Sequence, residues 1–330
     1  MVTQIMTCDI GGTRTRAALY DLSGKIPVRG EVIEVANQNY DNLPQVLHYC
    51  QDRLEPGSGL AAICLAVAGP VSDNQAKLTN SPWYVNSIDV STELGIEHVY
   101  LINDFIAQGH AVSALTTADL QLLQKGRAQR YGIAAVIGAG TGLGQALIKR
   151  SDDICEVFAS EGGHVDFSPR DARQIELLRY MLEKHGQVSV ENLLSGSGLC
   201  HLYGFLCDTG FASESPRLAS LMTQNDPAAV ITRYAHADEL CRETIRLFCR
   251  IYGAHAANVA LSYLATGGIY LTGGVTQHIL EFLGDGELLA AFRRHACMAD
   301  LLHDIPLQVV RYDYPGLLGA AMYTAGRLTA

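Results

Sequence analysis

One construction occurs twice in this chain. Residues 5–10 read as a short apolar strand, Gly11-Gly12-Thr13 as a glycine loop, residues 16–20 as a return strand, and Asp21-Leu22-Ser23-Gly24 as a polar turn. Residues 133–137 are again apolar, Gly138-Ala139-Gly140-Thr141-Gly142-Leu143-Gly144 is again a glycine loop carrying a threonine, and residues 145–149 return. Neither loop leaves room for a helix before the next turn, so each joins strand to strand. Such self-similarity predicts two related α/β domains.

Glycine loops take phosphate because backbone N–H groups converge on the anion with no Cβ in the way. A ligand-free hairpin turn explains one such loop equally well. Two in matched halves, with Gly273-Gly274 ahead of a further predicted helix, favour a bound anion. Spacing excludes two common sites. No lysine follows these glycines as a GxxxxGK[ST] loop requires, and Leu143 stands where the third glycine of GxGxxG would fall. Both also need a strand-to-helix context.

Around these loops the pattern predicts strands over 30–35, 61–68, 99–102 and 269–272, and helices over 43–54, 105–115, 238–264, 276–283 and from Pro315 onward. Gly253 is expected to bend the long helix. Residues 208–226, rich in Ser, Thr, Gly and Pro, read as an exposed loop.

Composition narrows the function classes. The 330 residues carry a formal charge of −10 with no Lys/Arg run, so duplex nucleic acid is not an expected partner. The nine cysteines show no paired spacing and predict reduced thiols. No apolar run reaches the roughly 18 to 20 residues of a membrane span, and neither end carries a targeting signal, so a cytoplasmic protein is expected.

Six blocks then carry a resemblance. Asp9-Ile10-Gly11-Gly12-Thr13, Leu101-Ile102-Asn103-Asp104-Phe105, Gly138 to Gly144, Glu161-Gly162-Gly163-His164-Val165-Asp166-Phe167, Leu271-Thr272-Gly273-Gly274 and Pro315 to Gly319 are similar, in order, to motifs of bacterial glucokinases in the hexokinase/actin-like ATPase superfamily. Two departures stand out: Arg14 where the family usually has Asn, and Ala159-Ser160 where it has Pro-Gly. The resemblance implies two ribonuclease H-like domains flanking a cleft, with mixed sheets and helices on both faces. Residues 1–113 with 312–330 form the small domain and 114–311 the large one.

It also implies roles. From spacing alone Asp104 reads as an N-cap; the resemblance makes it the general base for the sugar 6-hydroxyl. Asn103, Glu161, His164 and Glu191 become sugar ligands, although Glu191 also reads as the start of a helix. Gly11, Gly12 and Thr13 would line the phosphates of ATP, and Gly138, Gly140, Thr141 and Gly142 would cover them. Gly273 and Gly274 would admit the adenosine, and Asp9 would hold Mg²⁺ through water. A zinc site beside His164 is not expected, since the next cysteine, Cys200, stands alone. The implied activity is glycolytic, ATP-dependent formation of glucose 6-phosphate, in an expected homodimer. A kinase for mannose, fructose or an amino sugar is the alternative. A sugar-responsive DNA-binding regulator would carry a helix-turn-helix extension, whereas here the phosphate strand begins by Ile5. A non-catalytic actin-like ATPase has no use for Glu161 and His164.

Overall fold

The computed structural model describes residues 3–57, 59–78, 81, 83–152 and 154–329. The chain divides into two compact units. The first comprises Met1–Thr116, Cys155–Ala159 and Tyr312–Ala330, the second Thr117–Ile154 and Ser160–Arg311. The first break thus falls three residues beyond the one expected after 113. The excursion at 155–159, part of strand β12 (Cys155–Ser160), has no marker in the sequence.

The first unit is built on β1 (Gln4–Ile10), β2 (Arg14–Asp21), β3 (Val28–Ala36), β4 (Ala62–Val67) and β8 (Val99–Asn103), in the order β3-β2-β1-β4-β8. β1 pairs antiparallel with β2 and parallel with β4. Strand alternation sends side chains to both faces, and both are covered. Met6, Cys8, Ile10, Ile63, Leu65 and Val67 pack with Leu43, Val46 and Leu47 of the helix Leu43–Leu54. On the opposite face Ile5 and Ala62 pack with Leu317, Leu318 and Ala321 of the helix Pro315–Leu328. Three short strands, β5 (Val71–Ser72), β6 (Gln75–Lys77) and β7 (Tyr84–Asn86), form a separate small sheet.

The second unit repeats the central arrangement. Within it lie β9 (Leu120–Gln124), β10 (Ala134–Ala139), β11 (Leu143–Arg150), β13 (Gly268–Thr272) and β14 (Leu307–Val310), in the order β11-β10-β13-β14-β9. β10 pairs antiparallel with β11 and parallel with β13, as β1 does with β2 and β4. The fold is therefore mixed α/β and internally duplicated. Its core centres on the helix Glu239–Tyr263, whose Tyr252 hydroxyl donates to the Ile137 carbonyl at 2.9 Å. Gly253, within that helix, is a crossing point: a Cβ there would overlap the Leu288 carbonyl of the helix Glu287–Arg293.

The expected loop at 208–226 holds a helix, Pro216–Gln224. Ser215 caps it by accepting from the Leu218 N–H at 3.2 Å, and Pro216 fills the first turn, where its missing N–H is harmless. Residues that punctuate loops here start a helix.

Candidate active site

The sequence-predicted residues fall into two groups, one in each unit. In the first unit Asp9 stands near the end of β1, opposite Arg16 on β2 and Ala66 on β4. Burial raises its carboxyl pKa and the Arg16 charge opposes the rise. Gly316, at the start of the helix Pro315–Leu328, lies so close that a Cβ there would sit 3.2 Å from Asp9 Oδ2. The adjoining loop is closed by the Gly11 N–H donating to the Arg14 carbonyl at 3.0 Å. Buried Asn37 secures it. Its Nδ2 donates to the Gly11 carbonyl at 2.8 Å, its Oδ1 accepts from Thr15 Oγ1 at 2.8 Å, and its backbone N–H donates to the Thr13 carbonyl at 2.9 Å. Sequence reasoning missed Asn37, which lies 26 residues from Gly11 and in no glycine motif.

At the end of β8 the cap is Asn103 and not Asp104. Asn103 has extended backbone (φ −66°, ψ 147°), and its Oδ1 accepts from the Phe105 and Ile106 N–H groups at 2.9 and 3.3 Å. Its Nδ2 donates to the Gly69 carbonyl at 3.1 Å and to Asp104 Oδ1 at 3.0 Å. Both lone-pair directions and both amide hydrogens of Asn103 are thereby used. Asp104 occupies the first helical position of Asp104–Ala111, and its Oδ1 also accepts from the Phe105 N–H at 3.0 Å. The amide of one residue thus orients the carboxylate of the next.

In the second unit Glu161, His164 and Glu191 come together. His164 Nε2 is 3.8 Å from Glu161 Oε2, and His164 Nδ1 is 3.9 Å from Glu191 Oε1. Glu161 precedes the one-turn 3-10 segment Gly162–His164, and His164 ends it. That turn packs directly on the glycine loop's strand: a Cβ on Gly163 would overlap the Leu143 carbonyl, and one on Gly162 the Gln145 amide. Glu191 starts no helix. It lies in a turn whose backbone N–H donates to the Gly163 carbonyl at 2.9 Å, and its Oε2 accepts from the Leu143 N–H at 2.7 Å. One carboxylate therefore faces the histidine and holds the glycine loop. No local pattern could have revealed that bond across 48 residues of sequence.

Gly138 belongs to β10, and Gly140, Thr141 and Gly142 form the turn into β11, closed by the Gly140 N–H donating to the Gly142 carbonyl at 2.8 Å. A Cβ built on Gly140 would come within 3.8 Å of the Gly274 N–H nitrogen, so the two glycine stretches are neighbours. Gly273 adopts φ +99° against the Ala139 carbonyl, a conformation and a clearance that only glycine meets. Gly274 opens onto free space. These side-chain-free glycine backbones suit a polyphosphate. A carboxylate in which burial disfavours the charged form, as at Asp9, suits a neighbouring cation.

Comparison with known proteins gives the family. The family model described as Glucokinase matches residues 6–327. The chain belongs to the glucokinase family. A glucokinase from Nostoc punctiforme is 37% identical over 341 residues, covering 98% of this chain and 99% of the relative. One from Hahella chejuensis is 37% identical over 318 residues, with 95% and 94% covered. The crystal structure of a glucokinase from an Antarctic psychrotroph superposes with a TM-score of 0.82 at 27% identity, over 98% of this chain and 99% of that one. The activity that goes with this family is ATP-dependent phosphorylation of glucose.

Arg14 and Ser160, which depart from the glucokinase pattern, each have a local structural account. Arg14 Nη1 pairs with Glu34 Oε1 at 2.7 Å, beside Arg16, which pairs with Glu34 Oε2 at 2.8 Å. Arg16 first, then Arg14, lowers the Glu34 carboxyl pKa. Ser160 Oγ accepts from the Gly162 N–H and from Gln145 Nε2, each at 3.1 Å, tying the turn that carries His164 to β11.

Proposed function

We propose that this glucokinase-family chain transfers the γ-phosphoryl group of ATP to the 6-hydroxyl of glucose, with Asp104 taking the hydroxyl proton. The observation that carries the reading is the Asn103–Asp104 pair. The cap holds the helix start, and its spare amide hydrogen holds the carboxylate in one orientation at a strand end. A base so fixed meets a bound hydroxyl without searching. Glu161, His164 and Glu191 offer two carboxylates and an imidazole, donors and acceptors matched to neighbouring hydroxyls of a pyranose. Asn103, with its polar atoms committed to the chain, serves the sugar chiefly by orienting Asp104. Gly11, Gly12 and Thr13, with Gly138, Gly140, Thr141 and Gly142, would bind phosphates, and Gly273 and Gly274 would pass the nucleoside. Asp9 would hold Mg²⁺ through water. ATP supplies the phosphoryl group and Mg²⁺ offsets its charge; the chain supplies position, since phosphoryl transfer asks little covalent help of protein.

The deciding experiment is Asp104→Asn, assayed by coupled ADP release across glucose, mannose, fructose and glucosamine, with glucose binding measured separately. kcat for glucose should fall by about 10²- to 10⁴-fold while glucose still binds. A folded variant with near-parental kcat removes Asp104 from the role. We further propose that the enzyme is a cytoplasmic homodimer feeding glycolysis, as expected for its kind; light scattering should then report twice the chain mass of 35.6 kDa.

A further inference from the structure

Away from every residue assigned above, the second unit carries an open cavity of about 740 Å³ lined by Arg170, Asn258, Arg293, Arg294, His295 and Ala296. Three guanidinium groups and an imidazole share it, and none of the six lining residues is acidic. In a chain with 34 acidic against 24 basic residues, arginines find carboxylates readily. Arg173 and Arg250 do so nearby, both on Glu243.

Among the described residues the cavity arginines do not. Arg170 is the most constrained. Its Nη1 donates to the Ala291 and Arg294 carbonyls at 3.1 and 3.3 Å, and its Nη2 to the Ala254 carbonyl and Asn258 Oδ1 at 3.0 and 2.7 Å. All four acceptors are uncharged, so they fix the guanidinium without neutralising it. Arg293 Nε donates to Gln124 Oε1 at 2.6 Å, again a neutral partner. Arg294 is exposed and joins no ion pair among the described residues. His295 Nδ1 accepts from the Met298 N–H at 3.2 Å, leaving Nε2 as the donor of the ring. Burial and the neighbouring Arg294 charge both press against the protonated form of Arg170, a tension that an anion would relieve.

We propose that this cavity is an anion site for a small phosphorylated molecule, separate from the catalytic site. Arg170, with its Nη hydrogens spent on the chain, contributes charge, while the Nη groups of Arg293 and the guanidinium of Arg294 can match phosphate oxygens two at a time; arginine is the residue that binding sites for such dianions favour. The volume lies within the range of about 300 to 1,000 Å³ typical of small-molecule sites, so it admits more than a lone ion. The surroundings suggest what occupancy reaches. Arg170 is bonded to the Ala254 carbonyl, and the next residue, His255, bonds Gln145 Oε1 at 3.3 Å. Gln145 in turn donates to Ser160, which holds the turn of Glu161 and His164.

The test is calorimetric titration of the full chain at low salt with pyrophosphate, inorganic phosphate and a hexose 6-phosphate as separate probes. Each is run with AMPPNP and glucose held at saturation, which occupies the catalytic site. At least one probe should still bind, and the one that binds tightest separates free phosphate from a phosphorylated sugar as the source. Arg294→Gln should weaken that binding by about tenfold or more, and Arg294→Glu should abolish it. Both variants should keep the parental kcat in the absence of the anion, because Arg294 is exposed and bonds nothing that shapes the catalytic groups. Three results overturn the proposal: no binding by any probe, binding lost once AMPPNP is present, or unchanged affinity in Arg294→Glu.

Discussion

At the scale of single residues, His164 is the clearest target. Its side chain is 62% exposed and contributes to no core, so it stands where it does for what it faces. His164→Ala should fold with an unfolding midpoint close to the parent. It should also lose most of the preference for glucose over an epimer inverted at a contacted carbon, expected at about 10- to 200-fold in kcat/KM in the parent. Competition assays between the two sugars measure it. A variant that keeps its preference but melts early would make His164 a structural residue. Glu161 and His164 stand out in the sequence because Glu, Gly-Gly and His at that spacing serve no ordinary core. Which of Asn103 and Asp104 is the cap was not readable. Both residue types cap well, they are adjacent, and only the extended backbone at Asn103 decides between them.

At the scale of elements, the glycines act by clearance. Gly163 brings its turn against the Leu143 carbonyl, so Gly163→Ala must push His164 away from the glycine loop. We expect kcat/KM for glucose to drop at least tenfold, with a stability loss of about 1–3 kcal/mol in urea titration. Gly326 is the contrast. It lies within the helix Pro315–Leu328 with nothing within 4 Å of an added Cβ, so Gly326→Ala should stabilise by about 0.5–1 kcal/mol and leave activity alone. The doubled hairpin and the long helix were legible from period and glycine placement. The helix at 216–224 was not, because Ser-Pro signals both a turn and a helix start. Nor was the short excursion at 155–159: its strand follows β11 directly and pairs with it, and its grouping with the first unit leaves no local mark.

At the scale of the whole molecule, acid should expose a buried histidine. His255 is 5% exposed, and burial lowers its pKa from 6.5 to about 4. Between those values the unfolded chain binds a proton that the folded chain refuses, so stability rises with pH across the window. It is complete above about 6.5 and declines as pH falls toward about 4, by about 1.4 kcal/mol per pH unit for this one group. Urea midpoints at pH 7, 6 and 5 should show the slope, and His255→Gln should lessen it by one proton; equal slopes would contradict the assignment. The division of the chain carries a consequence for its birth. The first unit contains β1, made before any strand of the second unit, and the helix Pro315–Leu328, whose Leu317, Leu318 and Ala321 cover one face of its sheet. A ribosome that has reached residue 311 has delivered all of the second unit but not that helix. The sheet translated ahead of the second unit can therefore close only after it, and until then its bare face depends on whatever else in the cell will shield it.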